Sequence, residues 1–290
     1  MKDLNGKRAL ITGGAGGIGG CIARDLAREG VDLILVDIAE DRLAAAADEC
    51  RALGVAVDTL TCDLTRPADI TAMARRVIDE MGGIDILINN AGLIHYGPTD
   101  EMPAEARENL LAVNLAAPMQ LTCEFLPHMR RRYEAHIVFM SGMYGLLSVP
   151  RTAAYHATKF GLVGWSESLH REYSRYGLGT TVVCPGFIRT DMSKQKPGGF
   201  KGRNIPKVPD WALGSPEEVS AKTVRGIKRN SRRVLVNWVA YLGAYVARFA
   251  PWLADVVYLF GKRRKMRQRL RSFRAREAET RATPKAPGGN

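Results

Sequence analysis

The chain has 290 residues, 46% of them hydrophobic, which suffices for one large α/β domain and argues against a chain too polar to bury a core. Its five cysteines (Cys21, Cys50, Cys62, Cys123 and Cys184) form no C-x-x-C pair or Cys/His cluster, which argues against a structural metal and fits a reducing cytoplasm. The net charge of +12 is uneven: residues 1–230 hold 28 Lys/Arg against 27 Asp/Glu, and residues 262–281 hold 10 against 2, so the body is near neutral and the basic tail needs its own explanation.

Residues 1–6 run straight into a strand with no apolar segment in front of them, so a cytoplasmic protein is expected. The first strand-like run, 8–12, leads into Thr12-Gly13-Gly14-Ala15-Gly16-Gly17-Ile18-Gly19 and then into a helical pattern over 18–29. In that context a glycine turn lets main-chain N–H groups and a helix N-terminus meet a pyrophosphate. The second run, 33–37, ends on Asp37, 18 residues after Gly19. A carboxylate there accepts hydrogen bonds from ribose hydroxyls and opposes a 2′-phosphate; the alternative is a turn or helix cap. The glycine loop also contains no Lys or Arg, and both features favour NAD over NADP. Further strand-like runs at 55–60, 84–89, 137–140, 180–184 and 234–236 alternate with helical patterns such as 67–81, 154–176 and 216–228. Seven such runs predict a Rossmann-type, doubly wound, seven-stranded parallel sheet in a single α/β domain over 1–236.

The helical pattern 154–176 carries Tyr155 and Lys159, whose spacing stacks a phenol and an ammonium on one face. A phenol ordinarily titrates near pH ~10. A neighbouring ammonium and a cationic nicotinamide both favour the phenolate, so such a tyrosine can exchange a proton with an alcohol or carbonyl oxygen while a cofactor exchanges the hydride. His156 points about 100° away from Tyr155 on a helix, which predicts a surface or packing role. His95 follows the Asn-Asn-Ala-Gly run and is a candidate for the border of a substrate pocket.

Residues 191–215 lose periodicity and are rich in Gly, Pro and Lys, which predicts a mobile substrate lid. After the last strand, 237–279 reads as an amphipathic, basic helical extension. Trp252, Leu253, Val256, Val257 and Phe260 recur at helical spacing before the basic run, which suits a helix lying in the plane of an anionic membrane surface. The alternative is a dimer or core-capping helix. Nucleic-acid binding is not expected, since no recognition module accompanies the arginines. Residues 280–290 are expected to be disordered.

These motifs, in this order, resemble the short-chain dehydrogenase/reductase family over residues 6–236. The resemblance implies that Gly13, Gly17, Ile18 and Gly19 hold the cofactor with Asp37. Asp63 and Leu64 would hold the adenine, and Asn89, Asn90, Ala91 and Gly92 would steady the sheet beside the cofactor. It further implies that Asn114 organises a water path to Lys159, that Tyr155 and Lys159 are the catalytic pair, and that Pro185, Gly186, Ile188 and Thr190 seat the nicotinamide. Homodimers or homotetramers are the family's usual assemblies. One position departs from the pattern: the substrate-orienting serine falls at Gly142, leaving Ser141, a water or Tyr144 to supply that contact.

The expected reaction is NAD-dependent oxidation of a secondary alcohol, or reduction of the ketone, on a lipophilic substrate such as a steroid, retinoid or long-chain lipid. The alternatives are reduction of a 3-oxoacyl thioester, with Lys194, Lys196, Lys201 and Arg203 gripping a carrier's phosphates, and a cofactor-binding regulatory protein.

Overall fold

The computed structural model describes residues 1–189 and 208–259. Thr190, most of the expected lid with Lys194, Lys196, Lys201 and Arg203, the basic tail, Phe260 and residues 280–290 lie outside the described residues.

The strands are β1 (Arg8–Thr12), β2 (Asp32–Asp37), β3 (Val57–Thr61), β4 (Ile86–Asn89), β5 (Ala135–Met140), β6 (Leu178–Pro185) and β9 (Arg233–Val236), with a short β7 (Phe187–Ile188) and β8 (Leu213–Gly214) between the last two. The first seven named form one parallel sheet in the order β3-β2-β1-β4-β5-β6-β9. The Rossmann-type architecture read from the sequence is therefore the observed one.

Period-two alternation explains the layering. Ala9, Ile11, Leu33, Leu35, Ile86, Ile88 and Val138 face one side, where they meet α1 (Gly17–Arg28), α2 (Glu40–Arg51) and α7 (Pro216–Lys228). Leu10, Ile34, Val36, Leu87, Ile137 and Phe139 face the other, against α3 (Pro67–Asp79), α5 (Ala117–Met129) and α6 (Ala153–Tyr173). Each large aliphatic side chain buried this way contributes about 1.5 to 3 kcal/mol relative to exposure. The strand order reverses between β1 and β4, so a crevice opens beyond Thr12 and Asn89, where open α/β sheets place their ligands.

β5 and β6 each begin two residues before their predicted starts, 137 and 180. Polar His136 hid the extension; buried, it pairs through Nε2 with Thr181 Oγ1 at 2.8 Å, which satisfies it inside the sheet. The stretch read as structureless to Ser215 regains structure earlier. A 3-10 turn spans Asp210–Ala212, and Leu213–Gly214 pairs in parallel with Phe187–Ile188. Ser215 is no part of a lid: it caps α7, its Oγ accepting from Glu218 N at 3.1 Å ahead of Pro216.

The chain divides into two units, Met1–Ala244 and Tyr245–Asn290. The first holds the sheet and most of the helix α8 (Trp238–Phe249); the second holds its last residues and α9 (Pro251–Leu259).

Candidate active site

Gly13 occupies a left-handed position, φ +67°, and a β-carbon there would meet Asn90 Nδ2 at 2.9 Å and Ala91 Cα at 3.0 Å. Only glycine fits. The loop is clamped from β4: Asn90 Nδ2 donates to the carbonyls of Thr12 (3.0 Å) and Gly13 (3.2 Å), and Thr12 Oγ1 accepts from the N–H groups of Asn90 (3.1 Å) and Ala91 (3.2 Å). Asn89, expected to share that task, is buried with neither amide atom bonded among the described residues. Gly17, Ile18 and Gly19 form the first turn of α1, which has no side-chain cap and no acidic residue. Its first-turn N–H groups thus lack a side-chain cap, a donor set suited to a phosphate.

Asp37 takes the capping role that the sequence offered as its alternative, and its carboxylate also reaches the glycine loop. Its Oδ2 accepts from Ala15 N in the glycine loop at 3.3 Å, while Oδ1 caps the turn into α2 by accepting from Ile38 N (2.8 Å) and Ala39 N (3.1 Å). Asp63 Oδ1 accepts from Thr65 N (2.9 Å) and Thr65 Oγ1 (2.7 Å), and these bonds hold its carboxyl below the usual range. Leu64 packs partly buried beside it.

On α6, Tyr155 and Lys159 are 8% and 4% exposed, so both polar groups are withdrawn from bulk water. Lys159 Nζ donates to the Met140 carbonyl at 2.8 Å and lies 5.4 Å from the Tyr155 ring centroid. Burial lowers the ammonium to about 8. Burial also raises the Tyr155 phenol above its ordinary value, and Tyr144 adds to the rise. This runs opposite to the expectation that Lys159 depresses the phenol: burial and Tyr144 act on Tyr155, while the ammonium is directed at Met140.

Asn114, fully buried in a π-helical turn at Ala112–Ala116, accepts from Leu93 N at 2.7 Å and donates to Leu93 O at 2.8 Å. A β-carbon on Gly92 would lie 3.5 Å from Asn114 Oδ1 and 3.7 Å from Lys159 Nζ, so these three residues converge. The Asn114 amide is occupied at both ends by Leu93.

Ser141 is not brought to the Tyr155 side. Its hydroxyl, 2% exposed, donates to the Lys159 main-chain carbonyl at 2.9 Å and so ties the end of β5 to α6. Gly142 follows with φ +98° and ψ 169°, a conformation essentially reserved for glycine. His156 takes the packing role, buried rather than on the surface: Nδ1 pairs with Tyr144 O at 2.8 Å and Nε2 accepts from Val149 N at 2.8 Å. A carbonyl only accepts, so in the bond to Tyr144 O it is His156 Nδ1 that donates; Nε2 also lies 3.2 Å from Val149 O. His95, also buried and with its pKa lowered by burial, lines a small recess with Thr99, Met102 and Arg151 beside the start of α6.

Gly186 N donates to Val236 O at 3.1 Å, and Ile188 pairs with Gly214. Asn237, absent from the sequence expectations, fits closely against Gly186, donates to Phe187 O at 3.4 Å and accepts from Ala240 N at 3.2 Å. Its φ of +67° and its place just before a helix are signals that asparagine carries. The sequence reading gave it no role beyond the first position of the helical extension 237–279.

The model of the short chain dehydrogenase family matches residues 7–198. The oxidoreductase UcpA of Escherichia coli (strain K12) is 37% identical over 195 residues, covering 67% of this chain and 74% of that protein. The D-beta-hydroxybutyrate dehydrogenase of Cupriavidus necator is 30% identical over 233 residues, covering 76% and 90%. Among solved structures, a short-chain dehydrogenase from Sphingobium yanoikuyae in complex with NADPH superposes with a TM-score of 0.71 at 27% identity, covering 98% of this chain and 99% of that one.

Proposed function

The chain belongs to the short-chain dehydrogenase/reductase family and is an oxidoreductase using a nicotinamide cofactor, and from that premise we propose that it oxidises a lipophilic secondary alcohol with NAD, or reduces the ketone. The observation that carries this is the buried pair Tyr155 and Lys159, set one helical turn apart where Gly92 and Asn114 converge. The nicotinamide dinucleotide supplies the hydride acceptor or donor. The residues fit such a group, because the glycine cradle is closed to any β-carbon at Gly13 and the first turn of α1 offers uncapped N–H groups.

In this assignment Gly17, Ile18 and Gly19 hold the pyrophosphate, Asp37 the adenosine ribose hydroxyls, Asp63 and Leu64 the adenine, and Pro185, Gly186 and Ile188 the nicotinamide. Tyr155 takes the alcohol proton or returns it to the ketone oxygen. Lys159 contributes positive charge and a ribose contact. The main preference for NAD comes from the Asp37 carboxylate, which a 2′-phosphate would face as a like charge.

An apolar substrate is supported by aromatic surface near the nicotinamide turn. Trp211 and Trp238, 70% and 50% exposed, stack at 5.4 Å. Trp238 follows Asn237, and Trp211 lies just before β8, the partner of Phe187–Ile188. Secondary-alcohol turnover with NAD, measured against Tyr155→Phe, is the test.

The reading includes peripheral attachment to an anionic membrane through the second unit. Within it Tyr245, Phe249, Trp252, Leu253 and Val256 are all exposed, and the sequence beyond carries the basic run at 262–281. Exposed aromatics beside clustered cations suit a lipid surface. No helix among the described residues is long and apolar enough to cross a membrane. Self-association into a dimer or tetramer is the competing use of those side chains. The thioester alternative rested on Lys194, Lys196, Lys201 and Arg203, which lie outside the described residues.

A further inference from the structure

The two residues at the expected serine position both leave a substrate oxygen without a donor. Gly142 has no side chain, and Ser141 Oγ donates into α6 at the Lys159 carbonyl. Charge that develops on a substrate oxygen during hydride transfer is nevertheless best stabilised by a pre-oriented donor.

Tyr144 sits two residues past Gly142 in the 3-10 turn Met143–Gly145. Its ring stands edge-on to that of Tyr155, with centroids 5.7 Å apart at 82°, and edge-on to Phe187, 6.2 Å apart at 81°. It therefore lies between the proton-transferring phenol and the strand that follows the Pro185-Gly186 turn. Its placement is fixed twice over by His156, whose Nδ1–H donates to the Tyr144 carbonyl at 2.8 Å and whose imidazole meets the Tyr144 ring at 5.0 Å and 89°. The Tyr144 side chain is also close enough to Tyr155 to help keep that phenol protonated.

We propose that the Tyr144 hydroxyl supplies the substrate-orienting hydrogen bond that the side chain at position 142 does not. Tyr144 keeps its own proton throughout. In the oxidative direction Tyr155, as the phenolate, takes the alcohol's O–H proton, a bound nicotinamide would accept the C–H hydride, and Tyr144 O–H···O holds the same substrate oxygen. His156 acts here as a positioning residue, because it orients the turn and touches no substrate. The inference rests on the hydride-transfer reading above.

The test uses the full chain and, as probe, the alcohol turned over fastest in a panel running from cyclohexanol to a hydroxysteroid. Tyr144→Phe retains the ring and its edge contacts, so a packing role leaves kinetics untouched. The expected result is a loss in kcat of about 10² to 10³, the scale for one oriented donor. NADH affinity by fluorescence and Tm should stay at wild-type values. Tyr144→Phe within threefold of wild-type kcat overturns the inference. A wild type no faster than Tyr155→Phe on every alcohol overturns both the hydride-transfer reading and the inference that depends on it. His156→Gln, which keeps a side-chain donor toward the Tyr144 carbonyl, should cost less than His156→Ala; equal losses contradict the positioning role.

Discussion

Lys159 Nζ donates to the main-chain carbonyl of Met140 at 2.8 Å, so the helix that carries Tyr155 delivers its ammonium to the end of β5, one residue before Ser141. Ser141 closes the same junction from the other side by donating to the Lys159 carbonyl at 2.9 Å. The pair of bonds makes the end of β5 and the middle of α6 one rigid piece.

That junction sets a pH dependence. Burial lowers Lys159 to about 8, and burial with Tyr144 raises Tyr155. Ketone reduction needs the phenol protonated and benefits from the charged lysine. It should therefore fall as pH rises through about 8, with the lysine titrating first. Alcohol oxidation needs the phenolate and should go on rising into the alkaline range. Initial-rate profiles in both directions check this; a reduction limb that starts to fall well below neutrality contradicts it.

Gly142→Ser separates a missing hydroxyl from a strained backbone. A β-carbon at Gly142 would meet nothing closer than Pro185 O at 3.7 Å, so space is available, but φ is +98°. The substitution should cost about 1 to 3 kcal/mol in backbone strain, or roughly 2 to 12 °C in Tm for a chain of this size. It should bring no gain in turnover. Thermal melts and kcat check this together; higher turnover at unchanged Tm would show that the serine position can be restored.

Asp37→Asn isolates charge from capping. The amide oxygen still accepts from the Ile38 and Ala39 N–H groups, which now bind Oδ1 at 2.8 and 3.1 Å, so the cap survives; the bond that Oδ2 accepts from Ala15 N at 3.3 Å is lost, and Tm should fall only slightly. The wild type should prefer NAD by about tenfold or more in kcat/KM, equivalent to at least ~1.4 kcal/mol, and the variant should narrow that ratio. An NADP preference in the wild type contradicts the ribose assignment.

Membrane attachment predicts that the full chain co-sediments with phosphatidylserine-containing vesicles, is released by added salt and ignores pure phosphatidylcholine. The double substitution Phe249→Glu with Trp252→Glu should abolish pelleting. These two side chains are 73% and 63% exposed, so the fold should tolerate the change. Recovery of wild type in the supernatant at low salt removes the membrane proposal, and a smaller species for the double variant on a sizing column assigns the face to self-association.

The sheet was legible because its inner strands are buried on both faces and read as aliphatic runs, and because the glycine turn and Asp37 mark consecutive strand ends. Tyr155 and Lys159 were legible from spacing. Residue types alone did not show which way Ser141 turns, since its direction depends on the partner in α6, nor that Asn114 is engaged by Leu93. The phenol's shift was misjudged for the same reason: a sequence shows that Lys159 is near Tyr155 but not that both are desolvated. Tyr144 and Asn237 owe their importance to contacts 11 and 51 residues away, with Tyr155 and Gly186, which no local pattern carries.

The most direct measurement is steady-state oxidation of the secondary-alcohol panel with NAD by wild type and Tyr155→Phe, with NADH binding followed separately by fluorescence. The proposed chemistry predicts measurable wild-type turnover, loss of all but about a thousandth of it in the variant, and nearly unchanged NADH affinity, because the glycine loop rather than the phenol holds the cofactor. A Phe variant that keeps more than about a tenth of wild-type kcat, a deficit of less than ~1.4 kcal/mol in the barrier, would contradict Tyr155 as the proton-transferring group.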